Sequence, residues 1–289
     1  MKYINFIIEK EYDSVLNFLK ELSLSKNFII SLKNNEKSIF VNSQLQNLSY
    51  QLKVGDQVSF LKEPSPKQSS ILKTNLPLEV VFEDDDILIV NKPAGIVTIP
   101  SKLHNSISLA GMVVNHYEFP FTFRPINRLD KDASGLVVIA KNAYICEKLL
   151  KSIKEKFYYA IVEGLIDQSL VIEKNILTLQ DENKINIRKR VISPLGKPAR
   201  TFVEPVKKFK NYTLCKIVIE NGRTHQIRLH LSSIGHPLLG DELYGNKSNL
   251  ISRTALHLRQ IDLCHPISKE KLSIFAPFPS DFENILNID

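Results

Sequence analysis

Residues 124 to 142, RPINRLDKDASGLVVIAKN, set four ionisable side chains, Arg128, Asp130, Lys131 and Asp132, directly before Leu136-Val137-Val138-Ile139-Ala140, a run that is apolar at every position. A half-buried strand alternates apolar with polar residues, so an unbroken apolar run of this length is expected to be covered on both faces. The chain must therefore bury a strand completely and still hold a carboxylate at the mouth of the same core. A charge in that position is costly unless a partner or a chemical role compensates.

With 289 residues the chain can form one large domain or two unequal ones. Hydrophobic residues make up 43% and charged residues 24%, the balance of a globular protein. The longest apolar stretches fall far short of the roughly 20 residues that span a bilayer. The first ten residues lack the apolar region and cleavage site of a secretory leader. A cytoplasmic protein with no membrane contact is expected. Cys146, Cys215 and Cys264 are odd in number and far apart, which predicts free thiols in a reducing compartment and no zinc cluster. With no Gly-rich phosphate loop either, no metal and no cofactor are expected.

The net charge is +7, and the excess is concentrated. Between Arg188 and Lys216 nine basic residues face a single acid, Glu204. Such a block is either a solvated face or a surface for a polyanion, and nucleic acid is the leading partner of that kind. Arg188, Lys189, Arg190, Lys197 and Arg200 are its candidate RNA contacts, with Arg128 beside the acidic stretch.

Residues 63 to 76, rich in proline and serine, read as a linker. Before it, residues 14 to 22 and 27 to 32 carry helical spacing, and Ser38 to Asn42 and Gln57 to Phe60 look like short strands. The division predicted is a small α+β module over 1–62, the linker 63–76 and a larger domain over 77–289. In the larger part, Asp84-Asp85-Asp86 marks a turn between two strands. Leu136 to Ala140, Tyr159 to Val162 and Leu214 to Ile219 are further strand candidates. GRTHQIRLHLSSIG reads as a helix with Thr224 as N-cap and Gly235 as its stop.

Taken alone, Asp130 is a good turn residue ahead of a strand. Its functional reading is a nucleophilic or general-base carboxylate, which must stay ionised and so needs a cation nearby. Arg228 is the candidate, its fork able to bind the carboxylate at two points. Tyr158 alone reads as a packed strand tyrosine. His225 and His230 flank Arg228, but no carboxylate or cysteine has the spacing to complete a metal site, and His230 lies on the apolar stripe.

Four stretches in order resemble the RluA family of RNA pseudouridine synthases. RPINRLDKDASGLVVIAKN is similar to its H-R-L-D-x-x-T-S-G-L-L-x-x-A-K signature, FEDDDILIVNKPAGIVTIPS to its strand-turn-strand, KEKFYYAIVEG to its K-x-Y-x-A-x-V-x-G and NGRTHQIRLHLSSIGHPLLGDELYG to its GRtHQIR region. The resemblance spans about residues 77 to 280. IFVNSQLQNLSYQLKVGDQVSF resembles the tail of the small RNA-binding domain named after ribosomal protein S-four, arranged as in RluD-like members, though the helices before it lack the arginine-rich face.

The resemblance implies an α+β fold with a mixed, mainly antiparallel sheet. It places the catalytic aspartate at Asp130, the active-site tyrosine at Tyr158 and the carboxylate-pairing arginine at Arg228. Arg128 falls where the family contacts RNA near the extruded nucleotide. The implied reaction isomerises uridine to pseudouridine in structured RNA, ribosomal RNA foremost and transfer RNA next, without cofactor or metal, and nothing in the sequence demands more than a monomer. Sequence does not choose which ribose atom Asp130 engages, or whether Tyr158 removes the carbon-five proton. Ser134 and Gly135 are expected to form a turn between reactive loop and strand. Asn127 stands where the family has histidine and Ala133 where it has threonine. Asn127 is the one feature that favours a non-catalytic RNA-binding or ribosome-assembly factor on the same fold.

Overall fold

The computed structural model describes residues 2–64, 71–100, 107–117, 121–179 and 190–288. From the N-terminus run β1 (Tyr3–Ile7), α1 (Val15–Glu21), α2 (Lys26–Lys33), β2 (Ile39–Val41), β3 (Gln44–Leu45) and β4 (Gln57–Leu61). Next come β5 (Val80–Glu83), β6 (Ile87–Lys92), α3 (Leu109–His116), β7 (Ser134–Ala140), α4 (Ala143–Ser152) and β8 (Ile153–Glu163). The rest is β9 (Leu170–Glu173), β10 (Ile176–Thr178), β11 (Arg190–Ile192), β12 (Arg200–Lys208), β13 (Tyr212–Glu220), α5 (Gln226–Ser232), β14 (Leu256–Cys264), β15 (Lys271–Phe275) and α6 (Ser280–Leu286).

The apolar run is β7, buried at every one of its residues. It lies third in a nine-stranded sheet of order β5-β6-β7-β14-β8-β13-β12-β9, with β15 also on β14. Its partnership with β14 is parallel and every other pairing in that sheet is antiparallel. The α+β class with a mixed, mainly antiparallel sheet is therefore as expected.

The parallel contact is short, His257 with Ser134 and Leu258 with Gly135. It corrects the expectation of a turn at Ser134 and Gly135, which are already part of the strand. Gly135 has φ of +115, and a Cβ there would lie 2.3 Å from the Leu258 carbonyl oxygen, so close approach of two backbones is what requires glycine.

The N-terminal module is a four-stranded sheet of order β1-β4-β2-β3 packed by α1 and α2. Ser14 and Ser25 cap the two helices by accepting from Asn17 and Phe28 N–H groups. Sequence reading missed β1, which pairs along its full length with β4, from Tyr3 with Leu61 to Ile7 with Gln57. This module does not stand apart. Phe28 and Phe60 meet Tyr144 of α4, at centroid distances of 6.2 and 5.7 Å, and buried residues of both parts form one hydrophobic cluster. Around that contact Lys62 pairs with Asp86 at 2.8 Å, and Glu63 with Arg124 at 2.8 Å. Among the described residues no helix is long and apolar enough to cross a membrane.

Candidate active site

The segment before β7 is held along its length. Ile126 N–H donates to Val138, while the Asn127 amide donates to the Leu136 carbonyl at 3.0 Å and accepts from Val138 N–H at 2.9 Å. The side chain thus works as an extra piece of backbone pairing on the edge of β7. Farther on, Thr98 both accepts from Leu129 N–H (3.2 Å) and donates to its carbonyl (2.9 Å). Lys92, fully buried, donates to the carbonyls of Pro93, Ile96 and Lys131. Burial first, and then the positive charge of Arg253, lower the Lys92 ammonium to about 7 against the pull of Asp132 and Asp130. Both neighbours of Asp130 are pinned, leaving its carboxylate to project.

It projects into a cavity of about 440 Å³, within the usual range of ligand pockets. Tyr158 of β8, Arg228 and His225 share that cavity, and Arg128 and Lys156 are on its lining too. Tyr158 is 6% exposed. Burial, followed by the charge on Asp130, pushes its phenol far above the ordinary value, so it is protonated at neutral pH. Arg128 is exposed at the rim.

Arg228 donates to Asp130 Oδ2 at 3.3 Å, one contact and not the expected two. The two-point pairing goes to Asp241, at 2.6 Å from Nε and 2.7 Å from the second terminal nitrogen. Asp241 is fully buried and also accepts from the N–H groups of Leu243 and Tyr244. Burial opposes the charge on Arg228, but its hydrogen bonds to Asp241 and attraction to both carboxylates outweigh it, and the guanidinium is held above its already high value. Sequence reading quoted Asp241 without a role. A carboxylate following Pro237-Leu238-Leu239 was the available signal, since an acid placed beside a buried apolar pair needs a cation.

The α5 helix starts at Gln226, and His225, not Thr224, is its N-cap residue. His225 adopts φ of 58 and makes no capping bond with its side chain. The cost of a left-handed non-glycine residue, about 1–2 kcal/mol, is incurred where it aims the ring at the cavity. There Nδ1 contacts the Tyr244 hydroxyl at 3.0 Å and Nε2 stands 4.0 Å from Asp130 Oδ2. Burial first, then Arg228 and Arg190, lower its pKa against the attraction of Asp130. His230 is a core residue, fully buried with contacts to Thr201 Oγ1 and the Lys174 carbonyl.

Of the basic block, Arg190 comes nearest the site, its backbone N–H donating to the Tyr244 hydroxyl that contacts His225. Arg188 and Lys189 lie outside the described residues. Arg190, Lys197 and Arg200 are not on the cavity lining, and Arg200 pairs with Glu173 at 2.6 Å and lies 3.7 Å from Glu220.

A family model described as RNA pseudouridylate synthase matches residues 86–233, from the start of β6 through the α5 helix. The chain belongs to the RNA pseudouridine synthases. An RNA pseudouridine synthase of Bacillus subtilis called uncharacterised is 31% identical over 281 residues, covering 94% of this chain and 98% of the relative. The ribosomal large subunit pseudouridine synthase D of Haemophilus influenzae is 32% identical over 235 residues, covering 74% of this chain and 71% of the relative. These relatives support membership of the RluA family. Among solved structures, human RNA pseudouridylate synthase domain containing 1 is similar in fold, with a TM-score of 0.57 at 24% identity, over 70% of this chain and 84% of that one. This pseudouridine synthase is an isomerase, and its cavity brings together the three residues that sequence reading had assigned to catalysis.

Proposed function

We propose that this pseudouridine synthase acts on ribosomal RNA, with Asp130 as the reacting carboxylate. The observation that carries the reading is the contact of Asp130 with Arg228 inside a cavity that also holds Tyr158. A stacked base is out of reach, so the target uridine is flipped into the cavity at a cost of a few kcal/mol. Arg128, at the rim, fills the gap left in the RNA. The ribose then meets Asp130, whose second oxygen Arg228 leaves free, and the uracil lies against Tyr158. The bond from ribose to the base nitrogen breaks, the uracil rotates, and ribose rejoins at carbon five. The proton from carbon five is lost and one is regained at the nitrogen, so the reaction balances without oxidant or energy source.

Residues 1–62 serve in this reading as a docked RNA-binding module, 63–76 as its connection and 77–289 as the catalytic domain. Asn127, the single feature favouring a non-catalytic factor, has its amide committed to β7 and stands in for backbone pairing, so its presence does not argue against turnover. The test is tritium release from ribosomal RNA labelled at uracil carbon five, with transfer RNA in parallel. Release from ribosomal RNA alone is expected. Release only from transfer RNA overturns the substrate, and no release from either, with folded protein, overturns the reading.

A further inference from the structure

The β8 strand sends its side chains to three different places. Lys156 and Tyr158 line the catalytic cavity, whereas Glu155 and Phe157 line a groove on the opposite face of the sheet. Lys154 faces neither. Ile153 and Glu155 pair with the adjacent residues Leu263 and Asp262 of β14, which leaves Lys154 as the extra residue of a β-bulge. Bulges re-aim side chains. This one turns Lys154 into a further pocket of about 340 Å³, where the N-terminal module meets the catalytic domain. From Tyr158 to Lys154 the strand advances about 13 Å, the reach of a few nucleotides of backbone.

Lys148 and Lys151 of α4 and Lys269 of the turn after β14 line the same pocket. Its one lining carboxylate, Glu147, stands 3.9 Å from Lys151 in an exposed pair worth little. Lys154, Lys148 and Lys269 enter no ion pair among the described residues. Burial first, and then the charges of Lys269 and Lys151, depress the Lys148 ammonium against the pull of Glu147, as expected where like charges outnumber the acid. Its lining holds no tyrosine, tryptophan or phenylalanine, the aromatic ring there being His265, which makes it a poor anchor point for a protein partner. Four cations at 3-residue and loop-to-helix spacings suit a chain of phosphates.

We propose that Lys148, Lys151, Lys154 and Lys269 form a phosphate-binding track that carries the RNA backbone from the catalytic cavity to the junction of the two modules. The proposal rests on the RNA-modifying reading above and adds a path that the basic block of residues 188 to 216 did not predict. It is tested in the full chain with Lys151→Ala, Lys154→Ala and Lys269→Ala combined, Lys148 being left because its ammonium also lies over the Tyr144 ring, 5.1 Å from the centroid. The probe is a ribosomal RNA fragment that the wild-type protein modifies, with affinity measured between about 50 and 200 mM salt.

Affinity at the low-salt end should fall about 10-fold, and the dependence of log affinity on log salt should flatten by about 2, from roughly 0.7 per lost single-strand phosphate contact. KM should rise with kcat unchanged, and the triple Lys→Arg variant should restore KM and affinity. Unchanged affinity and slope overturn the track. So does an equal loss on Lys207→Ala, Lys208→Ala and Lys210→Ala combined, three exposed lysines around the β12–β13 turn, because net charge alone would then explain it. Wild-type tritium release distinguishes the two readings: its absence counts against the enzyme assignment, while variant binding decides the track.

Discussion

Arg228 gives Asp241 two hydrogen bonds, of 2.6 and 2.7 Å, and Asp130 one, of 3.3 Å. The acid that fixes the arginine is therefore not the acid that faces the cavity. This division lets Asp130 keep a cation beside it while its other oxygen receives no bond from Arg228. Asp241→Asn should leave the buried guanidinium poorly matched and cost about 3–5 kcal/mol of stability. Urea unfolding checks this, and a loss below about 1 kcal/mol would mean that the Arg228–Asp241 pair is not what holds α5 in place.

Asp130→Asn should have the opposite profile. Its carboxylate is a quarter exposed and only singly bonded to Arg228, so stability should change by no more than about 1 kcal/mol. Tritium release should drop by a factor of about 10² or more, with RNA affinity near that of wild type. An active Asp130→Asn protein would remove the carboxylate from the mechanism.

Asn127→Ala removes two hydrogen bonds to the main chain of β7 and strands a carbonyl and an N–H at a buried site. A loss of about 1–3 kcal/mol is expected in thermal or urea unfolding. Turnover per folded molecule should change little, because the amide touches β7 and not the reacting carboxylate. A collapse of kcat with stability intact would instead give Asn127 a direct part in the reaction.

The parts of this site that the sequence displays are those carried by motifs resembling the RluA family. On local pattern alone Asp130 reads as a turn residue before an apolar run and Tyr158 as a packed strand tyrosine, while Arg228 lies in the first turn of an amphipathic helix. What stayed hidden depends on pairings across long separations. Ser134 meets His257 at 2.9 Å, 123 positions away, and nothing in either neighbourhood signals the other. Gly135 looks like a turn glycine because its sequence context is that of a loop, yet the constraint comes from Leu258 in a distant strand. The same holds for β1, whose partner β4 lies beyond both helices, and for Asp241, whose role is defined only once α5 packs over it. Thr224 is the better N-cap by residue type, and tertiary contacts of His225 with Tyr244 override that preference.

His257 makes the stability of the sheet depend on pH. It is fully buried in β14, and burial first, with Arg253 adding to it, lowers its pKa to about 4. In the unfolded chain it titrates near 6.5. Between those values the unfolded state binds the extra proton, so stability rises with pH through the window and is lost on acidification from about 6.5 toward 4. The contribution at full extent is on the order of 3 kcal/mol. His225 and His230 are lowered as well, so the wild-type curve alone does not isolate it. Comparison with His257→Gln, which can keep a hydrogen bond to Ser134, does so. Urea unfolding at about pH 7 and about pH 5 should show the variant losing less stability on acidification than wild type. Parallel losses in the two proteins would mean that His257 is already protonated in the folded state, or that the strand opens to let water reach it.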